Sequence, residues 1–221
     1  MLETLWLTKV VINLSKERDS MHLEILVEEL SARKVLDNLL PRLIINEHTY
    51  RIITYQGKPD MLKKLPGTLR GYSNWISNDM RIIILIDLDN DNCIELKQRL
   101  EDNAIKANLS TKSQNSSQSH FQVMNRIAIE EIEAWFLGDA EAIRTAYPRV
   151  SYYERKEKYR NPDTISGAWE TLERILQNAG YFLSGLRKVE VADNISQNMQ
   201  PLKNRSKSFL TFWDGIVTCL N

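Results

Sequence analysis

Apolar and polar positions along this chain switch between a period of two and a period near 3.6, and the switches outline the elements. His22–Val27 (HLEILV) is a short apolar run closed by Glu28-Glu29 and reads as a strand. Val35, Leu36, Leu39, Leu40 and Leu43 then recur at helical spacing, predicting a helix over Ala32–Leu43 with Ser31 as its N-cap and Pro41 as an early stop. His48–Gln56 alternates around Tyr50, Ile52 and Ile53 and predicts a second strand ended by Gly57. Pro59–Ile76 carries Leu62, Leu65, Leu69 and Trp75 and predicts a helix broken near Pro66-Gly67. Arg81–Asp87 (RIIILID) is the strongest strand, and its unbroken apolar character requires cover on both faces, as in a parallel sheet between helix layers. Asn92–Ile105 follows as an amphipathic helix with Ile94, Leu96, Leu100 and Ile105 on its apolar side.

Ser110–Ser119 has no apolar residue and predicts a flexible surface loop. Phe121–Ile129 reads as a fourth strand running straight into a helix over Glu130–Leu137, which Gly138-Asp139 stops, with Asp139 capping the next helix. Trp135 and Phe136, beside Ile132, are expected in the core. Beyond Pro148, helices are expected over Thr164–Gln177, Leu186–Gln197 and Ser206–Leu220, the last capped by Ser206. The alternation of strands and helices predicts an α/β fold with a largely parallel sheet. Residues 1–20 are read as an N-terminal extension, 21–147 as the α/β core, and 148–221 as a mostly helical part packed on it.

Composition narrows the function classes. Lys plus Arg and Asp plus Glu both number 29, so the chain is formally neutral, which excludes a globally basic nucleic-acid binder. The two cysteines form no C-x-x-C pair and the three histidines are scattered, which argues against structural zinc and fits a reducing cytoplasm. No apolar run reaches the roughly 18 residues a membrane span needs. Leu5–Leu14 is interrupted by Thr8, Lys9 and Asn13 with no small-residue cleavage site after it, so neither a membrane nor a secretory role is expected.

In parallel α/β sheets, sites form beyond the carboxyl ends of the strands. Acids fall at three such ends here: Glu28-Glu29, Asp87-x-Asp89-x-Asp91, and Glu130-Glu131 with Glu133. Hard oxygen donors gathered from several strands suit Mg²⁺ or Mn²⁺, because clustered carboxylates are costly without a cation. Helix-end stabilisation is the rival account of each cluster taken singly. An EF-hand reading of Asp87-x-Asp89-x-Asp91 fails, since the loop's sixth position is Asn92 and its twelfth Gln98.

These residues resemble the TOPRIM fold of topoisomerases, primases and overcoming-lysogenization-defect nucleases. More closely, L-V-E-E-x-S at 26–31, I-D-L-D-N-D at 86–91, R-I-A-I-E-E-I-E-A-W-F-L-G-D at 126–139 and N-R-S-K-S-F at 204–209 resemble an uncharacterised bacterial TOPRIM-like family, often suspected of working beside an ATPase in phage defence. The resemblance spans roughly residues 22–217. It implies a Mg²⁺- or Mn²⁺-dependent nuclease acting on DNA or RNA. Glu28 would be a ligand or general base, Asp87 and Asp89 the principal ligands with Asp91 near, and Glu131 or Glu130 would complete the cage. Lys188 would approach the phosphate, with Lys203 and Lys207 behind it. The chain departs from the pattern at Glu29, where a glycine is usual, and at Ala32, where the nuclease type has an acid.

Arg155, Lys156, Lys158 and Arg160, interleaved with Tyr152, Tyr153 and Tyr159, suit backbone contact and base stacking, and Lys203, Arg205 and Lys207 form a second basic run. No G-x-x-x-x-G-K-[ST] occurs, so an ATPase would be a partner subunit; the oligomeric state is left open. The alternatives are a non-catalytic TOPRIM-like interaction subunit, a D-x-D metal-dependent phosphatase, and, with least support, a glycosyltransferase.

Overall fold

The computed structural model describes residues 20–45, 47–114 and 120–220; the expected extension before residue 20 and residues 115–119 of the polar loop lie outside them. Four strands form one all-parallel sheet: β1 (His22–Val27), β2 (Thr49–Thr54), β3 (Met80–Asp87) and β4 (Val123–Ala128), in the order β2-β1-β3-β4. The intervening helices are α1 (Leu30–Leu39), α2 (Lys58–Ser73) and α3 (Cys93–Lys106). After β4 come α4 (Glu133–Gly138), α5 (Ala140–Ala146), α6 (Ala168–Asn178), α7 (Lys188–Ser196) and α8 (Lys207–Cys219). The α/β architecture and the late helices are as the periodicity predicts.

Both faces of β3 are covered, which is why its run is continuously apolar. Ile82, Ile84 and Ile86 pack with Leu26 against Met61, Leu65 and Leu69 of α2 and Leu96 and Leu100 of α3. Ile83 and Leu85 join Leu23, Ile25 and Val27 on the other face, under α1 and the helices after β4. The late helices belong to this second layer. Asn38 of α1 donates to Asp193 and Ser196, and Arg42 donates to the carbonyls of Ser196, Gln197 and Met199, fastening α1 to α7.

The N-R-S-K-S-F segment turns out to be a clasp. Asn204 donates to the Trp135 carbonyl (2.8 Å) and accepts from the Ser206 amide, Ser206 caps α8 by accepting from the Phe209 amide, and Ser208 accepts from the Trp135 indole (2.9 Å). Asp163 accepts from the Ser206 hydroxyl and the Ser208 amide. Trp135 and Phe136 are fully buried, as expected. Gly138 has no room for a side chain: a Cβ would collide with the Asn204 amide and come within 3.0 Å of the Ser206 nitrogen. Gly138→Ala should therefore cost about 1–3 kcal/mol of stability through overpacking, read as a lower urea midpoint. An unchanged midpoint would show that the clasp yields.

Several local expectations are corrected. Pro66 lies inside an unbroken α2, because burial of Leu65 and Leu69 outweighs the lost backbone bond. Ser31 is inside α1 rather than its cap; Glu29 takes that position and accepts from the Ser31 hydroxyl. Ile94 and Ile105 face solvent instead of the core. Thr111, assigned to a surface loop, is buried and bridges to Val123 at the sheet edge. β4 does not run straight into a helix, since Glu130 adopts a left-handed φ of 61° and α4 begins only at Glu133.

Candidate functional site

The strand order places the chain's reversal between β1 and β3: β1 leads outward to β2, and β2 returns to β3 on the other side. A crevice beyond the carboxyl ends of these two strands is the usual binding position in such sheets. Glu28 leaves β1 there and Asp87 ends β3, and the Asp87 amide donates to the Glu28 carboxylate at 3.3 Å. Pairing continues past the strands. The Gly57 amide donates to the Glu28 carbonyl, and the Leu88 and Asp89 amides donate to the carbonyls of Ala128 and Glu130. Four strand ends are thereby tied into one rim.

The rim is crowded with negative charge. Burial holds the Glu28 carboxyl above its ordinary value, and the charge of Asp89 adds to this. Burial raises Asp87 well above the carboxylate range, reinforced by Glu133, Glu28 and Asp89. Glu133, at the start of α4, is only 2% exposed. Its carboxyl is pushed up to about 7, chiefly by burial, with Lys188 opposing and Glu131 adding. Glu131 is raised by burial although it accepts from the Trp169 amide at 2.8 Å. Acids pressing one another's proton affinities upward are a recurring mark of functional sites.

Two lysines border this cluster. Lys58, 11% exposed in its side chain, donates to the Leu88 carbonyl (2.9 Å) and to Asp89 (3.1 Å), and pairs with Asp91 at 2.6 Å. Burial alone would lower its basicity, but the bonds to Asp91 and Asp89 raise it overall. Lys188 opens α7, lies 4.7 Å from the Trp169 ring centroid and 4.0 Å from Glu29. Burial is again outweighed, here by Glu133, Glu29, Glu131 and Asp87.

Of the expected site residues, the fold brings Glu28, Asp87, Asp89, Glu131 and Lys188 to one place. Asp91 and Asp89 are engaged by Lys58. Glu130 contributes its carbonyl to the Asp89 amide and a left-handed turn. Glu29 and Glu133 belong to the cluster more closely than a ligand list drawn from Asp-x-Asp spacing suggests. Lys58 was missed because a lone lysine after β2 carries no motif; its one signal is that Gly57-Lys58 follows a strand end. The donor set fits a hard divalent cation in its chemistry, oxygen-only and burdened with unneutralised carboxyls. Among the described residues, however, no three acidic, cysteine or histidine side chains are gathered tightly enough to hold an ion.

The basic runs fare differently. Arg205 is not available to a nucleic acid: its guanidinium donates to the carbonyls of Leu137, Gly138 and Tyr159, and it serves the clasp. Tyr153 and Tyr159 are buried, and exposed Tyr152 has Arg144 and Arg155 at 4.3 and 4.4 Å from its ring centroid, so the expected stacking platform is absent from these tyrosines. Arg155, Lys156, Lys158, Arg160, Lys203 and Lys207 are exposed. Lys203 lies 3.9 Å from Glu141.

The model of a family described as a domain of unknown function (DUF4276) matches residues 27–216. No curated protein and no solved structure matches the chain. Among the described residues, no helix is long and apolar enough to cross a membrane.

Proposed function

The chain belongs to the DUF4276 family, and we propose that it is a Mg²⁺- or Mn²⁺-dependent, TOPRIM-like nuclease that hydrolyses phosphodiesters of DNA or RNA, as the effector of an ATPase-linked anti-phage system. One observation carries the reading: at the reversal point of a parallel sheet, burial first and neighbouring acids second raise the proton affinity of Glu28, Asp87, Glu131 and Glu133, from three strand ends. Neutralising that charge with a divalent cation is the direct remedy. Asp87 and Asp89 would hold the cation, with Glu131 or Glu133 beside them. When bound, such an ion polarises a phosphoryl oxygen and lowers the pKa of water.

The chain's own groups supply the rest. Lys188 keeps its proton among four acids and presents a positive charge for a phosphate oxygen. Glu28, its proton affinity raised by burial and by the charge of Asp89, is the candidate base. Lys58 holds Asp89 and Asp91, and those carboxylates must leave it to meet an ion. The resemblance of the 86–91 and 126–139 segments to TOPRIM-like proteins supports the same assignment and is the basis for naming an ATPase partner.

A second reading, a non-catalytic interaction subunit, draws on the same Lys58 contacts, since an ammonium already neutralises Asp89 and Asp91. Cleavage of supercoiled plasmid, single-stranded DNA and total RNA, with Mg²⁺, Mn²⁺ or EDTA and Asp89→Ala as control, separates the two. Metal-dependent products lost in Asp89→Ala are the expected result. Silence in every lane from folded protein, with its ATPase partner supplied, would favour the interaction subunit.

A further inference from the structure

At the β4 edge of the sheet three cations converge beside buried Cys219 with no carboxylate of the described residues paired to them. Arg81 lies near the start of β3, Arg126 lies in β4, and Lys112 follows the Thr111 bridge to Val123. Two-residue alternation puts Arg81 and Arg126 on the face that holds Ile83 and Met124. Buried Phe121 is the common floor of Arg81 and Lys112: the Arg81 guanidinium carbon is 5.4 Å and the Lys112 ammonium 5.8 Å from its ring centroid. Arg126 is laid against Gly215 of α8, where a Cβ would stand 2.9 Å from its Nε and Nη2, and it donates to the carbonyls of Thr211 and Asn125. Arg81 donates to the carbonyls of Asn78 and Met80.

No carboxylate of the described residues forms an ion pair with any of the three. The buried Cys219 thiol faces all three, and Asp79 acts on Arg81, Asp214 on Lys112 and Arg126, and Glu101 on Arg126, none of them as an ion pair. Burial lowers the basicity of each cation, and for Lys112 the charge of Arg126 adds to it. The carboxyl end of α8 attracts positive charge, yet none of the three donates to its last carbonyls. Half-buried cations with no ion-pair partner among the described residues are costly and call for an anion.

We infer that Arg81, Lys112 and Arg126 form a second site, one that binds a phosphate group. Two planar guanidiniums and one ammonium match the several oxygens and multiple charge of a phosphate better than the single charge of a carboxylate. The site is remote from the acidic rim, since Arg81 and Asp87 lie at opposite ends of β3, about 20 Å apart at strand rise. It stands independently of the nuclease reading. The phosphate comes either from a free phosphate compound or from a nucleic-acid backbone.

The test is calorimetric titration of the full chain in EDTA with inorganic pyrophosphate and, separately, with a single-stranded oligonucleotide lacking terminal phosphates. Lys112→Gln and Arg81→Gln should each weaken binding by about tenfold or more, while Lys64→Gln, at an exposed lysine of α2 paired with Asp60, should leave it unchanged. If the oligonucleotide is the probe that responds, the salt slope should also fall by about one per cation removed, and the source is a backbone. A response from pyrophosphate alone assigns a free phosphate compound. If neither probe's binding depends on Lys112 and Arg81, with circular dichroism showing folded variants, the site does not exist. Cleavage at the acidic rim can fail while this result holds, and the reverse.

Discussion

Asp87→Asn should abolish metal-dependent cleavage, by on the order of 10³-fold or about 4 kcal/mol of transition-state stabilisation, while leaving the protein at least as heat-stable as the parent. The two halves come from one cause. The Asp87 carboxyl is forced well above the carboxylate range by burial and by Glu133, Glu28 and Asp89. An uncharged amide of the same shape removes that repulsion and the group's ability to face a cation together. A residue that served the fold would behave oppositely and cost stability when changed. Cleavage rate and melting temperature measured on the same preparation check both halves. An Asn variant that cleaves at the parental rate would take Asp87 out of the chemistry.

Thermal stability in EDTA should decline as the pH rises from about 5 to 8, and Glu133→Gln should remove much of the decline. Folded, the Glu133 carboxyl releases its proton near 7; unfolded, near the ordinary 4.5. Between those values the folded chain holds a proton that the unfolded chain has lost, so raising the pH favours unfolding. The loss begins near the unfolded value and is complete above 7. Its size is about 3 kcal/mol, or roughly 6–12 °C in melting temperature for a chain of this length. Asp87 and Glu28 are raised too and tilt the profile the same way. Mg²⁺ should therefore raise the melting temperature more at pH 8 than at pH 5. Melting curves for parent and Gln variant at pH 5, 6.5 and 8, with and without Mg²⁺, decide the matter. A flat parental profile would mean Glu133 is solvated in the folded state.

The acidic strand ends were legible because they combine two local signals, an apolar run and the charged residue that stops it. Lys58 was not, since its partners Asp89 and Asp91 are some thirty residues away in sequence and only the β2–β1–β3 order brings them near. Arg205 shows the opposite error. It sits in a basic run and reads as a ligand for phosphate, yet the ends of α4 leave carbonyls that need a donor, and Arg205 is the side chain packed against them. The tyrosines at 153 and 159 fail as a stacking surface for a similar reason, because the residues around them close into 3₁₀ turns over the core.

By itself the sequence determined the four strands, their parallel arrangement between helices, the burial of Trp135 and Phe136, and the caps at Asp139 and Ser206. These follow from periodicity and from side chains bonding to backbone groups a few residues away. Tertiary structure decided what depends on distant partners or on competition with burial. It kept α2 continuous through Pro66 and turned Glu130 left-handed. It buried Glu133 among the acids and gave Lys58 to Asp89 and Asp91. The strand order, which no local pattern encodes, is the physical reason that these charges share one rim.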